Sequence, residues 1–179
     1  MNYFVIANPI KCIGCRTCMI ACVIEHSKEN LFYQNFEEIN FNPKLEVVKN
    51  AKVSAPIQCR QCEDSPCAKS CQRNAITKKG NCIVIDENKC IGCKNCMLAC
   101  PFGAINLNDR EKGKLINLEN IPDDKLFCME KMVANKCDLC HDSEEGPACV
   151  RICPTSAFKI ITEDELSKSI KNKRKMSIL

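Results

Sequence analysis

The segment Cys-Ile-Gly-Cys-Lys-Asn-Cys-Met-Leu-Ala-Cys-Pro at residues 90–101 decides the fold of this 179-residue chain. Its cysteines are spaced C-x₂-C-x₂-C-x₃-C, and a proline follows the last one. A cubane of four irons needs one thiolate per iron, and this spacing supplies three from a compact loop while the fourth reaches a neighbouring cluster. The x₃ gap is about one helical turn, so it carries the last thiolate away from the loop.

Three more runs share the general pattern C-x₂-C-xₙ-C-x₃-C, in which only the middle spacing varies, so sixteen of the eighteen cysteines belong to one repeated pattern. In chain order the four motifs are Cys12, Cys15, Cys18, Cys22; Cys59, Cys62, Cys67, Cys71; Cys90, Cys93, Cys96, Cys100; and Cys137, Cys140, Cys149, Cys153. Only Cys82 and Cys128 lie outside them, and we expect both to be buried free cysteines. The chain is therefore predicted to bind four 4Fe-4S clusters, with no catalytic residues.

Glycine and proline mark the beginnings and ends of the motifs. Gly14 and Gly92 lie inside Cys-Ile-Gly-Cys turns, where a residue without Cβ permits positive φ and close approach of backbone N–H groups to sulfur. Cys100 and Cys153 precede proline, whereas the last cysteines of the first two motifs do not. We therefore expect the first two motifs to end less sharply.

Disulfides and zinc are the other common uses of many cysteines, and the sequence disfavours both. The first residues, Met1–Val5, contain neither a cationic start nor a long apolar stretch, as an export signal would require. Zinc ribbons separate two C-x₂-C pairs by a longer insertion, whereas here the third and fourth cysteines follow within a few residues. A three-iron cluster is not favoured, because every motif has its four cysteines.

Composition agrees with a metal-dependent fold. Aromatic residues make up 5% of the chain and tryptophan is absent, so bound metal must supply much of the folding energy. The formal charge is +4. Four oxidised clusters with their thiolates contribute about −2 each, which brings the charge of the loaded protein to about −4. The basic sequence therefore gives no reason to expect nucleic-acid binding.

The gaps between motifs predict a nested order. The middle gap, residues 72–89, is half as long as the gaps at 23–58 and 101–136. The second and third motifs therefore form a compact inner pair, whose connection contains β-prone runs at 75–77 and 83–85 around a glycine turn at 78–81. The first and fourth motifs are left to pair, and the β-rich segments at 3–7 and 158–161 can form their sheet.

The nested order assigns four ligand sets. They are cluster a with Cys12, Cys15, Cys18 and Cys153; cluster b with Cys137, Cys140, Cys149 and Cys22; cluster c with Cys59, Cys62, Cys67 and Cys100; and cluster d with Cys90, Cys93, Cys96 and Cys71. The alternative pairs the first motif with the second and the third with the fourth. It is less favoured because a gap of 36 residues exceeds usual connection lengths.

The predicted fold class is α+β, with two ferredoxin-like two-cluster units, short helices, β-hairpins and a C-terminal helix. Residues 1–58 plus 106–161 form the outer unit, residues 59–105 the inner unit, and residues 162–179 a helical tail. In the tail, Thr162 and Glu165 form a capping box, and cations near the end favour the helix dipole. We expect this helix to dock on a partner or to self-associate; a frayed, solvated end is the alternative.

The cysteine segments resemble a known family. Lys11–Cys18, Cys59–Cys67, Cys90–Met97, Lys136–Cys140 and Gly146–Cys149 are similar to the four-cluster ferredoxin subunits of molybdenum or tungsten oxidoreductases. The similarity is greatest to the small subunits of formate hydrogenlyase and hydrogen-dependent carbon dioxide reductase, and it covers about residues 3–161. It implies the nested order and an electron-transfer subunit, not an enzyme. The implied partners are a formate dehydrogenase-type subunit and a hydrogenase or second ferredoxin-like subunit.

Other members of that family work outside the cytoplasm with a membrane anchor. This chain has no run of 18 or more apolar residues, so we expect no membrane span and a cytoplasmic location, although export with a partner stays open. Two other functions also stay open at this stage: a freestanding polyferredoxin or maturation partner, and a scaffold that assembles catalytic subunits. The iron-sulfur subunit of another molybdopterin reductase is a further alternative.

The remaining polar residues are assigned supporting roles. No paired acid-base arrangement accompanies them, so we expect surface or supporting groups and not proton carriers at His26, His141, Glu63 and Asp138. The segment Leu31–Val53 contains four aromatic residues and is expected to cover the outer cluster pair.

Overall fold

The computed structural model describes residues 1–27, 39–109 and 132–178. Within these ranges the chain forms short strands and helices, as the α+β class predicts. In chain order they are β1 (Phe4–Ala7), α1 (Thr17–His26), β2 (Glu46–Lys49), β3 (Ser54–Ile57), α2 (Pro66–Lys69), β4 (Ile76–Lys79), β5 (Cys82–Ile85), α3 (Asn95–Ala99), β6 (Asn106–Asp109), β7 (Met132–Asn135), α4 (Ala148–Ile152), β8 (Phe158–Ile161) and α5 (Glu163–Met176).

The strands pair as four antiparallel two-stranded sheets: β1 with β8, β2 with β3, β4 with β5, and β6 with β7. The pairing of β1 with β8 joins segments from the two ends of the chain, with Phe4 opposite Ile161 and Ala7 opposite Phe158. The predicted terminal sheet is confirmed. The predicted hairpin is also confirmed, but its turn is only Gly80 and Asn81, because residues 78 and 79 extend β4.

The four helices that carry cysteines pack in two pairs. α1, which carries the end of the first motif, packs against α4 of the fourth motif. α2 and α3, from the second and third motifs, pack against each other. No helix in the described ranges is long and apolar enough to cross a membrane.

Cysteines make up a large share of the buried side chains, together with small aliphatic residues. One core contains Val5, Leu45, Val47, Leu139 and Phe158, with cysteines of the first, second and fourth motifs. A second core contains aliphatic residues from β4, β5 and β7, with cysteines of the second and third motifs. Because most side chains in both cores are small, groups bound by the cysteines would occupy a central place in the packing.

The third position of every cysteine loop has a left-handed backbone. The φ values are 69° at Gly14, 50° at Gln61, 68° at Gly92 and 61° at Leu139. The expectation for the two glycines is confirmed. A Cβ at Gly14 would lie 2.7 Å from Ser54 Oγ, and one at Gly92 would lie 2.6 Å from the Met132 carbonyl oxygen. The strand pairs β2–β3 and β6–β7 therefore lie close against the first and third loops, and only glycine permits this approach.

The expected difference between the ends of the motifs holds for the first motif only. α1 continues past Cys22 to His26, whereas α2 ends at Lys69, before Cys71. After Cys71 the chain turns at Asn74, whose φ is 49°. Asparagine tolerates the left-handed conformation, so the second motif ends sharply without a proline.

The C-terminal helix is confirmed, and one of the two hydrogen bonds of the predicted capping box is present. The Thr162 side chain accepts a 3.4 Å hydrogen bond from the Glu165 backbone N–H, and no residue of α5 is buried. The N-terminal ammonium of Met1 lies 3.3 Å from Glu163, and Lys159 lies 3.2 Å from Glu165. These exposed ion pairs hold the first turn of α5 beside the terminal sheet.

Two expectations concern residues beyond the described ranges. Cys128 lies outside them, as does the part of Leu31–Val53 that contains Phe32, Tyr33 and Phe36. The described part of that segment contributes Leu45 and Val47 to the first core, beside cysteines of the outer motifs.

Candidate metal centres

Two open cavities are each lined by four cysteines. The first has an empty volume of about 330 Å³, and its cysteines are Cys12, Cys15, Cys18 and Cys153. The second has an empty volume of about 380 Å³, and its cysteines are Cys71, Cys90, Cys93 and Cys96. Apolar residues line both walls, including Val47 and Phe158 in the first and Ile76 and Leu107 in the second. Basic residues complete the lining: Arg16 in the first, and Arg73 and Lys94 in the second. Each cavity therefore combines three cysteines of one motif with the last cysteine of another.

A third group of cysteines is buried between the first and fourth motifs. Burial raises the pKa of Cys149 to about 12, and the neighbouring Cys140 and Cys22 contribute to this rise. Burial likewise raises the pKa of Cys137 well above its usual value, with contributions from Cys149 and Cys22. All four side chains are buried. The last cysteine of the first motif thus lies among three cysteines of the fourth.

A fourth group joins the second and third motifs. Burial raises the pKa of both Cys62 and Cys67, and each is raised further by Cys59 and by Cys100. Two cysteines of the second motif, Cys62 and Cys67, therefore lie within electrostatic range of Cys100, the last cysteine of the third, and both are also affected by Cys59 of their own motif.

The arrangement of these cysteines suits a cluster better than a single zinc ion. Zinc holds sulfur at about 2.3 Å, so the sulfurs of a tetrahedral Cys₄ site lie roughly 3.8 Å apart. In the described part of the chain, the group of three ligand atoms found within 4.8 Å of one another is His26, Asp138 and Cys140, and no cysteine set qualifies. A 4Fe-4S core binds each thiolate through a different iron, so it suits four sulfurs that surround a larger space.

His26, Asp138 and Cys140 are explained by an ion-pair network without metal. His26 Nε2 donates to Asp138 at 2.9 Å, and Lys44 Nζ donates to the other carboxylate oxygen at 2.5 Å. Burial lowers the pKa of His26, but hydrogen bonds to Asp138 and Cys22 outweigh burial and raise this pKa to about 10. Burial also opposes the shift at Asp138, yet His26 and Lys44 lower its pKa. Both are supporting groups beside cysteines, as expected.

The other two polar residues are nearer the surface. Glu63 has an exposed side chain that accepts from the Asn2 backbone N–H, and it lies 3.6 Å from Lys78. His141 is partly buried, and its Nε2 lies 3.2 Å from Asp142. Neither residue lines a cysteine cavity.

The last cysteine of three motifs accepts the same backbone hydrogen bond. The amides of Ala75, Ala104 and Ala157 donate to the Sγ atoms four residues earlier, at 3.3, 3.5 and 3.3 Å. A left-handed residue precedes each alanine, at Asn74, Gly103 and Ser156. Sequence reasoning missed this C-x₃-A pattern, although it is visible in the second, third and fourth motifs. These N–H groups stabilise negative charge on sulfur.

The first motif uses a different donor for its last cysteine. Because α1 continues past Cys22, the Cys22 Sγ accepts instead from the Lys44 backbone N–H, at 3.3 Å. The His26 ring lies over the same cysteine, with its Nδ1 donating to the Cys22 carbonyl oxygen at 2.7 Å. The segment between the first two motifs therefore contributes directly to a cysteine environment.

Cys82 lies apart from the four groups. Its side chain is 2% exposed, and its thiol donates a 2.7 Å hydrogen bond to the Asp138 carbonyl oxygen. Burial raises the pKa of Cys82 to about 11, so the thiol stays protonated near neutral pH. The prediction of a buried free cysteine is confirmed for this residue.

Three buried polar residues near the second and fourth motifs were not predicted as functional: Gln58, Gln61 and Lys136. Gln58 and Lys136 directly precede the first cysteine of their motifs, and Gln61 lies within the second loop. The only sequence signal was their position beside cysteines, but nothing in the sequence distinguishes them from exposed Lys11 and Lys89 at equivalent positions.

Comparison with known proteins agrees with this chemistry. A family model for the 4Fe-4S binding domain matches residues 83–106, which contain the third motif. Electron transport protein HydN of Escherichia coli (strain K12) is 39% identical over 100% of this chain and 99% of its own length. From the same strain, hydrogenase-4 component A is 37% identical over 99% of this chain and 91% of its own length. Formate hydrogenlyase subunit 2 is 37% identical over 99% of this chain and 90% of its own length.

These similarities extend over nearly the whole of each protein, and the relatives are named as electron-transport proteins and complex subunits. The cysteine loops and the family match both indicate 4Fe-4S binding, which supplies a one-electron carrier and not a substrate site. The chain therefore belongs to the family of ferredoxin-type iron-sulfur electron-transfer proteins that includes HydN, hydrogenase-4 component A and formate hydrogenlyase subunit 2.

Proposed function

We propose that the chain holds four 4Fe-4S clusters and relays electrons between a formate dehydrogenase-type molybdenum or tungsten subunit and a hydrogenase or second ferredoxin-like subunit. The main support is the pair of cavities that each combine three cysteines of one motif with the last cysteine of another, and further support comes from the electrostatic proximity of cysteines in the other two sets. The redox partners are inferred from a relative, formate hydrogenlyase subunit 2, which this chain matches over 90% of that protein's length.

The proposed ligands are those of the nested order. Cys12, Cys15, Cys18 and Cys153 hold cluster a; Cys137, Cys140, Cys149 and Cys22 hold cluster b; Cys59, Cys62, Cys67 and Cys100 hold cluster c; Cys90, Cys93, Cys96 and Cys71 hold cluster d. Support comes from the two cysteine-lined cavities for the first and last sets, and from the mutual effects on thiol pKa values for the other two. The packing of α1 on α4 and of α2 on α3 supports the same pairing.

Exposure of the cysteines suggests where electrons enter and leave. Cys15 and Cys93, from the first and last of these sets, are the exposed cysteines in the described part of the chain. All four cysteines assigned to cluster b are buried, and two of those assigned to cluster c are buried. Partners can therefore approach the two exposed loops, while the buried sets connect them through the interior. We propose the order a, b, c, d between the partners, in either direction.

The proposed domains follow from this ligation. Residues 1–58 with 106–161 form the outer unit, and residues 59–105 form the inner unit with its own hairpin and two helices. The paired strands β6 and β7 belong to the outer unit in sequence, but the Met132 backbone of β7 lies close to Gly92 of the inner unit. The two units are therefore interlocked, and we do not expect either to bind its clusters well without the other.

The helical tail, residues 162–179, is proposed to dock on a partner subunit or to self-associate. Ile170, Met176 and Ile178 are exposed apolar side chains on or just after α5. Complete burial of a side chain of this size contributes about 1.5–3 kcal/mol, so even partial burial would stabilise an otherwise marginal helix. Deletion of residues 163–179 should reduce the size of the complex; an unchanged size on gel filtration would contradict this role.

We propose that the protein works in the cytoplasm. The sixteen cysteines bind clusters as thiolates, and a reducing compartment keeps them from forming disulfides. Fractionation of cells into periplasmic and cytoplasmic extracts, followed by detection of the chain, tests this placement.

Anaerobic affinity purification tests the proposed function. The tagged chain should retain a molybdenum- or tungsten-containing subunit and a hydrogenase-type subunit, and formate should bleach the cluster absorbance of the complex. A Cys15→Ala variant is the matched control, because it removes a ligand at the exposed loop of cluster a and should impair this reduction. Recovery of the fully loaded chain alone, with no bleaching by formate, would instead favour a freestanding polyferredoxin.

A further inference from the structure

The residue before the first cysteine differs among the four motifs in both identity and burial. Lysine occupies this position in three motifs, as Lys11, Lys89 and Lys136, and Gln58 occupies it in the second. Lys11 and Lys89 are exposed, as is usual for lysine. Lys136 is only 3% exposed and Gln58 only 4% exposed. The fold therefore buries one of three sequence-equivalent lysines.

Gln58 and Lys136 occupy reciprocal positions between the two pairs of motifs. Gln58 Nε2 donates a 2.7 Å hydrogen bond to the Val5 carbonyl oxygen, in β1 of the terminal sheet. Lys136 Nζ donates to the Ile83 carbonyl oxygen, in β5 of the inner hairpin, and at 2.9 Å to the Cys137 carbonyl oxygen. Each side chain thus crosses from its own cysteine loop to a strand of the other pair, but only one of them is a cation.

No carboxylate lies within 4.0 Å of the Lys136 ammonium in the described ranges of the chain. Carbonyl dipoles accept its hydrogen bonds but supply no net charge. A buried ammonium is costly unless an anion compensates it. The hydrogen bonds place this ammonium beside the second cysteine loop: the Cys137 carbonyl oxygen that accepts from Lys136 also accepts, at 2.9 Å, from the side chain of Gln61, which lies between Cys59 and Cys62.

The effect of Lys136 is directed across the interface between motifs. Although Lys136 adjoins Cys137 in sequence, its ammonium donates to the Ile83 carbonyl oxygen, and the Ile83 N–H donates to the Gln61 side chain of the second loop. The proposed ligation assigns that loop to cluster c. Reduction adds one negative charge to a cluster, and net charge around a cluster is one of the determinants of its potential. A buried cation stabilises the more negative, reduced form, and low exposure limits screening of that effect.

We propose that Lys136 is a potential-setting residue that makes the cluster bound by Cys59, Cys62, Cys67 and Cys100 easier to reduce. The proposal rests on the ligand sets of the proposed function. The neutral Gln58 occupies the reciprocal position, so the two halves of the chain are electrostatically unequal at their junction. This difference in buried charge favours an electron on the interior cluster beside Lys136.

A Lys136→Gln variant tests the proposal, because the chain itself places glutamine at the reciprocal position. The variant removes the charge and leaves a side-chain donor for a strand carbonyl. In reductive titrations followed by EPR, one of the four midpoint potentials should become more negative. We expect the one-electron reduction equilibrium to fall about tenfold, which corresponds to about 59 mV. Lys11→Gln and Lys89→Gln, at exposed equivalent positions, should leave all four potentials close to those of the unsubstituted protein.

The assignment to one cluster is tested in a Cys62→Ala background. If Lys136 acts on the cluster that Cys62 helps to bind, adding Lys136→Gln to that variant should move none of the remaining unaltered potentials. Four unmoved potentials in the Lys136→Gln single variant, at full iron content, would overturn the inference and leave the proposed function intact. Fewer than four clusters in the unsubstituted protein would instead contradict the proposed function.

The reverse substitution keeps the inference testable if Lys136→Gln loses iron. Gln58→Lys adds a cation at the reciprocal position and removes Gln58 Oε1, a buried acceptor without a hydrogen-bond partner in the described residues. It should make a midpoint potential less negative at unchanged iron content. If Gln58→Lys also leaves every potential unmoved, buried charge at this junction does not set potentials and the inference fails.

Discussion

The side-chain amide of Gln61 donates a 2.9 Å hydrogen bond to the backbone carbonyl oxygen of Cys137, 76 residues away in sequence. The same side chain accepts a 2.8 Å hydrogen bond from the Ile83 backbone N–H through Oε1. Gln61 is 1% exposed, so both bonds lie in the interior. One side chain therefore ties the second cysteine loop to the fourth loop and to the inner hairpin.

Replacing Gln61 with leucine should destabilise the protein without removing a cluster ligand. Leucine matches Leu139, which occupies the same position of the fourth loop with a similar backbone φ. The change leaves the buried Ile83 N–H without its partner, at about 1–3 kcal/mol for an unsatisfied group. It also removes one of the two hydrogen bonds to the Cys137 carbonyl oxygen, which still accepts from Lys136. The faster loss of cluster absorbance during heating measures the effect.

The control for this prediction is an exposed ion pair near the same motif. Lys69→Leu removes an ion pair with Asp64. Because both side chains are largely exposed, this change should have little effect on the rate of cluster loss. Equal rates of cluster loss for Gln61→Leu and Lys69→Leu would contradict a structural role for the Gln61 hydrogen bonds.

Alanine substitutions should rank the glycines by what their Cβ would contact. Each alanine at positive φ costs about 1–2 kcal/mol. Gly92→Ala also drives a Cβ against the Met132 carbonyl oxygen, which is backbone and cannot turn aside, whereas Gly14→Ala meets the movable Ser54 hydroxyl. Gly80→Ala is the control, since φ is 57° and a Cβ at this position would have no atom within 4 Å. Thermal stability should decrease in the order Gly80→Ala, Gly14→Ala, Gly92→Ala, and a reversed order would contradict the observed packing of the hairpins.

Cys82→Ala should retain the full iron content, because Cys82 belongs to none of the four cysteine groups. The substitution removes a buried thiol and its hydrogen bond to Asp138, at an expected cost of about 1–3 kcal/mol. Iron analysis of the purified variant checks the first expectation, and thermal stability checks the second. Loss of about four irons from Cys82→Ala would show that the assignment of ligands is incomplete.

Removal of iron should unfold much of the protein. Cysteines occupy central positions in both cores, and burial raises the thiol pKa of Cys18, Cys96 and Cys149 to about 11, 11 and 12. Metal binding stabilises the thiolates that these sites need, so its free energy contributes to folding. Chelation under anaerobic conditions should abolish most amide protection in hydrogen exchange; retention of native protection in the iron-free chain would contradict this dependence.

Cysteine spacing, together with β-prone runs and glycines, was sufficient to predict the terminal sheet, the inner hairpin and the positive φ of Gly14 and Gly92. The hairpin and the glycine conformations are local, whereas the terminal sheet followed from the nested order of the motifs. The contacts between the two pairs of motifs were not predictable in the same way. Lys136 and Lys89 both precede a cysteine, and only the packing of the inner hairpin buries the first of them.

The hydrogen bonds to sulfur were missed for another reason. The amide of Ala75 reaches Cys71 only because Asn74 adopts a left-handed backbone, and asparagine at that position gives no signal in a single motif. The contact between Lys44 and Cys22 depends on a chain segment that crosses the first motif from 22 residues away. Such contacts are set by tertiary structure and not by the motif itself.

Paired cysteine substitutions test the nested order most directly. Two substitutions in the same ligand set damage one cluster, whereas substitutions in different sets damage two, so their iron losses either coincide or add. We predict that the double variant Cys12→Ala, Cys153→Ala loses no more iron than either single variant. From about sixteen irons in the unsubstituted protein, complete loss of that cluster leaves about twelve. Cys12→Ala with Cys71→Ala should lose iron from two clusters and leave about eight.

The decisive measurement is therefore iron and acid-labile sulfide per chain in the unsubstituted protein, these single variants and the two double variants, all purified anaerobically. We predict that the iron losses coincide when Cys12 and Cys153 are both replaced, and that they add when Cys12 and Cys71 are both replaced. The reverse result would contradict the nested order and favour pairing of the first motif with the second. About four zinc ions in place of iron in the unsubstituted protein would contradict the electron-transfer account itself.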